Sequence, residues 1–141
     1  MLQRLSEWKS LFVGLTAVLL VGLILSRVLQ PDSTTSGEPS VTVDATEANE
    51  HVGTHAEVCG SVTNTSYQER IGGSPTFINM GGSYPDQPFT TVIWGDNRHL
   101  WPEAPERMYR NADICVRGII RMHEGTPQIE VGRPQQVSVY R

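Results

Sequence analysis

From Pro31 onward the sequence contains no lysine, and its eight arginines are outnumbered by fourteen aspartates and glutamates, a net charge of −6. Proteins that gain affinity by neutralising phosphates carry the opposite balance, a basic patch or stripe. The composition therefore disfavours strong, sequence-independent binding to nucleic acid, although it is compatible with a local group of arginines.

Residue patterns that support catalysis are also missing. The two cysteines are not spaced as Cys-x-x-Cys, which argues against a redox centre. The four histidines form no metal-ligand signature, and no serine has an obvious base. There is no carboxylate pair and no glycine-rich phosphate loop between a strand and a helix. The sequence predicts that the protein is not an enzyme and uses neither a cofactor nor a metal.

One long apolar run lies near the amino terminus. Residues 11–25 carry no charge, and with Val28 and Leu29 the run corresponds to a helix of roughly 28 Å, close to the hydrocarbon thickness of a bilayer. We interpret residues 1–29 as an uncleaved transmembrane anchor. A cleaved signal peptide is the alternative, but no small-x-small pair follows the run near Arg27.

The flanks of this run predict an orientation. Arg4 and Lys9 precede it, which favours an amino terminus on the inner side of the membrane. We therefore expect a single-pass protein of the cytoplasmic (inner) membrane whose remaining chain lies on the extracytoplasmic side. Residues 30–43 are polar and turn-rich and predict a flexible linker with a reach of roughly 20 Å. Residues 44–141 remain for one small domain.

This domain is dominated by short strand patterns. Apolar and polar residues alternate from Ala56 to Thr63, which predicts a half-buried strand. Further extended segments are predicted at 76–80, 89–94, 114–122, 128–131 and 137–140. Pro102 and Pro105 divide residues 97–110 into short helical pieces. This order predicts an all-β domain, a five-stranded OB-fold barrel with a short helical segment between strands 3 and 4, preceded by one transmembrane helix.

Cys59 and Cys115 fall on the polar faces of the first and fourth predicted strands. Because those strands are antiparallel neighbours in an OB barrel, the two thiols can face each other. In an extracytoplasmic domain this predicts a disulfide. The alternative is two independent cysteines in the reduced state.

Six ordered segments of the domain match a known pattern. They are VCGSV (58–62), PTFINMG (75–81), YP (84–85), FTTVIWG (89–95), ICVRGII (114–120) and GTPQIEV (125–131). With these segments, the sequence over about residues 44–140 resembles the small bacterial OB-fold proteins described as nucleic-acid-binding, some of which occur beside nuclease domains. The resemblance implies an OB fold and a nucleic-acid ligand. This chain departs from such a binder in its acidity and its lack of lysine.

Ligands of OB folds lie across strands 2 and 3, flanked by the loops that join strands 1 to 2 and 4 to 5. Aromatic rings there stack on bases, and arginines contact the backbone. The residues that we predict to bind ligand are Tyr67, Arg70, Asn79, Tyr84, Trp94, Arg98, Arg117 and Arg121. Phe77 lies in the same region, but Phe77 and Trp94 are equally suited to filling the barrel.

Three functions are compatible with these features. The first is a membrane-anchored extracytoplasmic binding module for a partner protein of the membrane or for single-stranded nucleic acid, the latter weakly because the domain is acidic. The second is an accessory structural subunit of a membrane complex. The third is a cofactor carrier, since an anchor, a linker and a barrel in this order resemble the haem chaperones of cytochrome c maturation. Those chaperones place a tyrosine four residues after the haem-attaching histidine, where Pro127 follows His123 here.

Overall fold

Short strands with alternating burial build the domain. The computed structural model describes residues 38–141 and is mostly β, with an eight-stranded mixed sheet and few helices. The strands are β1 (Val41–Asp44), β2 (His55–Tyr67), β3 (Thr76–Met80), β4 (Phe89–Ile93), β5 (Asp113–Ile119), β6 (Arg121–His123), β7 (Thr126–Glu130) and β8 (Val137–Val139). The helices are α1 (Gly95–Arg98) and α2 (Pro105–Met108), with 3-10 turns at Ala45–His51 and Pro134–Gln136.

The first 3-10 turn shows how local sequence determines structure. Asp44 caps it, because its carboxylate accepts a hydrogen bond from the backbone N–H of Thr46 at 2.9 Å. Gly53 follows the turn with a φ of +89°, a conformation that glycine adopts without strain. The chain then enters β2, in which Ala56, Val58 and Val62 are buried in the core.

The strand order across the sheet is β6-β7-β4-β3-β2-β5-β8, and β1 pairs in parallel with β2. The β4–β7 pair is also parallel, whereas the remaining pairs are antiparallel. Five of these strands, β7-β4-β3-β2-β5, have the order of an OB fold. β5 and β6 lie near opposite ends of this strand order, although only Ile120 separates them in the sequence.

β5 and β7 approach closely at Gly118. A Cβ atom at this position would lie 2.6 Å from Cγ2 of Ile129. We expect Gly118→Ala to lower the free energy of unfolding by about 1–3 kcal/mol, because the core must shift to admit one methyl group. Urea unfolding measures this loss. Gly72→Ala, which meets no atom within 4 Å, is the control; an equal loss in both variants would contradict the close approach.

Cys59 and Cys115 form a disulfide, as predicted. They are directly opposed in the β2–β5 register, with their Cα atoms 4.0 Å apart. A second pair, two positions along this ladder, is also linked. Arg117 Nε donates to a carboxylate oxygen of Glu57 at 2.7 Å. The outer face of β2 and β5 is therefore cross-linked by covalent and polar contacts.

Several sequence predictions are confirmed in this architecture. The domain is β-rich, the strand at 76–80 has the predicted bounds, and short helices lie between the third and fourth predicted strands. The predicted count of five strands is wrong, since residues 38–141 contain eight. Residues 41–43, assigned to the flexible linker, instead form β1, in which Val41 pairs with Ala56.

The predicted strand at 114–122 is two strands, and the interruption has a physical cause. The N–H of Ile120 donates to the carbonyl of Thr54, and its own carbonyl accepts from Gly53 N–H. Ile120 thus bonds to the turn before β2, where the chain passes from β5, which pairs with β2, to β6, which pairs with β7.

The predicted anchor (1–29) and most of the predicted linker lie outside the described residues. Within residues 38–141, no helix has the length and apolar character needed to cross a membrane.

Candidate ligand-binding groove

A groove of about 780 Å³ lies on the outer face of β2, β3, β4 and β7. The face is outer because Phe77, Asn79 and Thr90 alternate with residues of the core such as Ile78 and Phe89. Its floor is formed by Asn64, Ser66, Phe77, Asn79, Thr90 and Gln128. Its walls come from the loop after β2, the loop between β3 and β4, and the β6–β7 turn.

A row of polar residues crosses the floor from strand to strand. Residues aligned in neighbouring strands direct their side chains to the same face. The strand registers align Asn64, Asn79, Thr90 and Gln128 across the floor and continue to Arg121, which does not line the groove. We call these five residues the polar row.

Hydrogen bonds connect the middle of the polar row. Thr90 Oγ1 donates to Asn79 Oδ1 at 3.0 Å, and Asn79 Nδ2 donates to Asn64 Oδ1 at 3.4 Å. Gln87, in the wall, donates its Nε2 to Thr90 Oγ1 at 3.3 Å. Asn79 is only 4% exposed. Because both ends of its amide are occupied by neighbours, Asn79 positions the side chains around it.

Two aromatic side chains accompany the polar row. Phe77 is half-buried in the floor, and Tyr84 in the wall is 78% exposed. Trp94 does not line the groove, and its indole N–H donates to Glu130 at 3.1 Å. A Cβ atom on Gly73 would lie 2.8 Å from the Trp94 ring, so this ring packs directly against the loop after β2.

The groove carries little charge. None of its fifteen lining residues is an arginine or lysine, and His123 and Glu124 are the only lining residues with a basic or acidic side chain. Glu124 and Gly125 form the two-residue turn between β6 and β7, both with positive φ, as such turns require. An anionic backbone would find no cation inside the groove.

The predicted ligand-binding residues are distributed over several parts of the domain. Asn79 and Tyr84 line the groove. Trp94 does not line it but shares Glu130 as a hydrogen-bond acceptor with the lining residue Gln128. Arg121 ends the polar row, and Arg70 is exposed in the loop beside Ile71, which lines the groove. Tyr67, Arg98 and Arg117 do not line it. Their role in binding stays a prediction.

Arg98 is held in a cluster that joins β2, β3, α1 and α2. Its guanidinium lies 4.0 Å from the centre of the Tyr67 ring and donates to Thr76 Oγ1 at 2.8 Å. It also makes a bidentate pair with Glu106, at 2.6 and 2.8 Å. These hydrogen bonds from Arg98 lower the pKa of Glu106 and raise the pKa of Arg98. These contacts occupy the guanidinium and fix the two helices to the strands.

We expect Glu106→Gln to lower the free energy of unfolding by about 1.5–3 kcal/mol at pH 7, the range for hydrogen bonds to charged groups. The folded-state pKa of Glu106 is depressed, so its contribution is present above the ordinary pKa of an unfolded glutamate and is lost as the pH falls through the folded-state value. The free energy of unfolding should therefore decrease less between pH 7 and pH 3 in the variant than in the wild type. Urea unfolding at both pH values measures this difference. Glu103→Gln, exposed and without an ion pair among the described residues, should behave as the wild type.

The sequence interpretation missed most of the floor. Up to Val62 the even-numbered positions of β2 face the core, and a register shift between Val62 and Asn64 turns Asn64 and Ser66 onto the groove face instead. Gln87, Thr90 and Gln128 carry no charge or aromatic ring, so a search for arginines and aromatic residues does not select them. For Thr90 and Gln128 the available signal is the period-two pattern of the strands, applied across aligned neighbours.

No protein-family model matches the sequence, and no curated protein matches it significantly. Among solved structures, a putative aspartyl-tRNA synthetase from Leishmania major Friedlin is similar at 12% identity and a TM-score of 0.44, covering 78% of this chain and 22% of that chain. The asparaginyl-tRNA synthetase from Pyrococcus horikoshii, complexed with asparaginyl-adenylate, is similar at 18% identity and a TM-score of 0.41. The match covers 64% of this chain and 20% of that chain. The chain thus spans about a fifth of each. Both likenesses are distant.

Strand order and groove position together define a class: a β-rich domain of the OB-fold type, with its groove on the face that OB folds use for oligonucleotides and oligosaccharides.

Proposed function

We propose that this protein is a binding module that takes a short stretch of single-stranded nucleic acid in the groove. The observation that carries the proposal is the polar row beside Phe77 and Tyr84, on the outer face of β3 and β4. Asparagine and glutamine amides pair with the hydrogen-bonding edges of bases, and aromatic rings stack on their faces. Both kinds of contact are available within one groove.

Binding of this kind is weak in an acidic domain. Salt-dependent phosphate contacts supply much of the affinity of most nucleic-acid binders, and the groove lining contains no arginine or lysine. A tether compensates for weak affinity, because it raises the effective concentration of the module near ligands or partners in the same membrane.

We also propose that residues 1–29 anchor the domain on the extracytoplasmic side of the inner membrane. The apolar run and the preceding basic residues support this orientation. The Cys59–Cys115 disulfide supports it independently, because disulfides persist in oxidising compartments and are rare in the cytosol.

A segment of a membrane partner protein is the second candidate ligand. The net charge of −6 from Pro31 onward and the uncharged floor favour it, since the main-chain amides of an extended peptide need no cation. Co-purification from the membrane in mild detergent tests this candidate. Loss of the co-purified protein on Asn64→Asp, but not on Gln135→Glu outside the groove, would support it.

Anisotropy of a labelled single-stranded oligonucleotide, titrated with the full-length protein in mild detergent at 50 mM salt, tests the main proposal. We expect weak, saturable binding to the single strand and none to a duplex of the same sequence, whose bases are stacked and paired. The absence of any change with the single strand at low salt would overturn the proposal.

A further inference from the structure

We propose that the groove holds a strand by its bases and leaves nearly all of its phosphates in solvent. This inference rests on the proposed function, and it concerns which part of the ligand is recognised.

The positions of the arginines limit the number of phosphate contacts. Three of the eight are already engaged with carboxylates: Arg98 with Glu106 at 2.6 Å, Arg117 with Glu57 at 2.7 Å, and Arg141 with Asp113 at 2.7 Å. Two others adjoin the groove. Arg70 precedes the lining residue Ile71, and Arg121 is paired in register with Gln128. Arg107, Arg110 and Arg133 do not line the groove, so Arg70 and Arg121 are the arginines placed to meet phosphates at its margins.

The floor, by contrast, presents uncharged hydrogen-bonding groups. The bond from Asn79 to Asn64 Oδ1 turns the Asn64 Nδ2 donor away from Asn79, and this donor makes no hydrogen bond within residues 38–141. At Thr90 in the polar row, Gln87 Nε2 donates a hydrogen bond to Thr90 Oγ1, while Gln87 Oε1 is buried and accepts no hydrogen bond within residues 38–141. A buried acceptor without a partner is unfavourable. The Nδ2 donor of Asn64, which is exposed, is therefore available to an acceptor on a base edge.

The aromatic side chains complete a site for bases. Tyr84 offers an almost fully exposed ring in the wall, and Phe77 offers part of a ring in the floor. Stacking needs no particular base, so the site tolerates different sequences while requiring that the bases be unpaired.

Three probes of about ten nucleotides separate base from backbone recognition with the full-length protein in detergent. They are an ordinary mixed-sequence single strand, an abasic phosphodiester strand and a methylphosphonate strand with an uncharged backbone. We expect the abasic strand to bind at least about tenfold more weakly than the ordinary strand, because stacking is lost. The methylphosphonate strand should bind within a few-fold of the ordinary strand.

Salt dependence gives a second readout. With two phosphate contacts on a single strand, affinity should fall only about sevenfold between 50 and 200 mM salt, whereas six contacts would reduce it about 300-fold. Arg121→Gln should make the salt dependence shallower. Asn64→Ala should weaken binding several-fold and leave the salt dependence unchanged. Gln135→Ala, exposed and outside the groove, is the matched control for Asn64→Ala.

Equal binding of the abasic strand, or a salt-induced loss of a hundredfold or more, would overturn base-directed recognition while leaving the proposed function in place. Binding of none of the three strands would overturn the proposed function and this inference together.

Discussion

Replacing Cys59 and Cys115 with serine is expected to lower the free energy of unfolding by about 4 kcal/mol. The disulfide joins residues 56 positions apart, and a loop of this length loses about that much conformational freedom in the unfolded chain. A domain of about a hundred residues is stable by only about 5–15 kcal/mol, so the loss is a large fraction of the total. The melting temperature should fall by roughly 15–30 °C.

Thermal unfolding with and without a reductant measures this effect in the unmodified protein. Reduction of the wild type should reproduce the melting temperature of the double serine variant, and the variant itself should not respond to reductant. Ser138→Ala is the matched control, because Ser138 is exposed and is aligned with Cys115 on the adjacent strand β8. An unchanged melting temperature after complete reduction would contradict a stabilising role for the disulfide.

Tyr84→Ala is expected to weaken binding of a single-stranded oligonucleotide by about 5- to 150-fold. This range corresponds to the loss of one stacked base, about 1–3 kcal/mol. The fold should be unaffected, because the side chain is 78% exposed and no described hydrogen bond involves its hydroxyl. Anisotropy titrations of the variant and the wild type at the same low salt concentration measure the change.

Tyr84→Phe and Tyr140→Ala serve as matched controls. The first keeps the aromatic ring and should retain most of the affinity. The second removes a tyrosine that is 57% exposed after β8 and does not line the groove, so affinity should not change. A similar loss in Tyr84→Ala and Tyr140→Ala would show that the groove wall has no special role.

Much of the fold follows from local patterns. The alternation around Val58 and Val62 predicts β2, and Pro75 together with Gly81 bounds β3 closely. The extra strands depend on contacts that local patterns do not contain. β1 exists because Val41 pairs with Ala56, fifteen residues away, and β5 ends early because Ile120 bonds with the turn before β2.

The site was harder to predict because it combines uncharged residues from distant strands. Asn79 and Tyr84 were selected from the known ligand face of OB folds, and both line the groove. Arg98 was selected with them, but a carboxylate eight residues later, across the turn between α1 and α2, holds its guanidinium. An arginine of this kind can be placed from the sequence only when its ion-pair partner is known.

The most direct test of the groove is to map ligand contacts by NMR on the isotopically labelled full-length protein in detergent. Backbone and side-chain amide signals should be recorded as a single-stranded oligonucleotide is added. The groove predicts the largest shifts at the side-chain amides of Asn64, Gln87 and Gln128 and at the backbone around Phe77 and Tyr84. Shifts confined to the outer face of β2 and β5, around Glu57 and Arg117, or to α1 and α2 would contradict it.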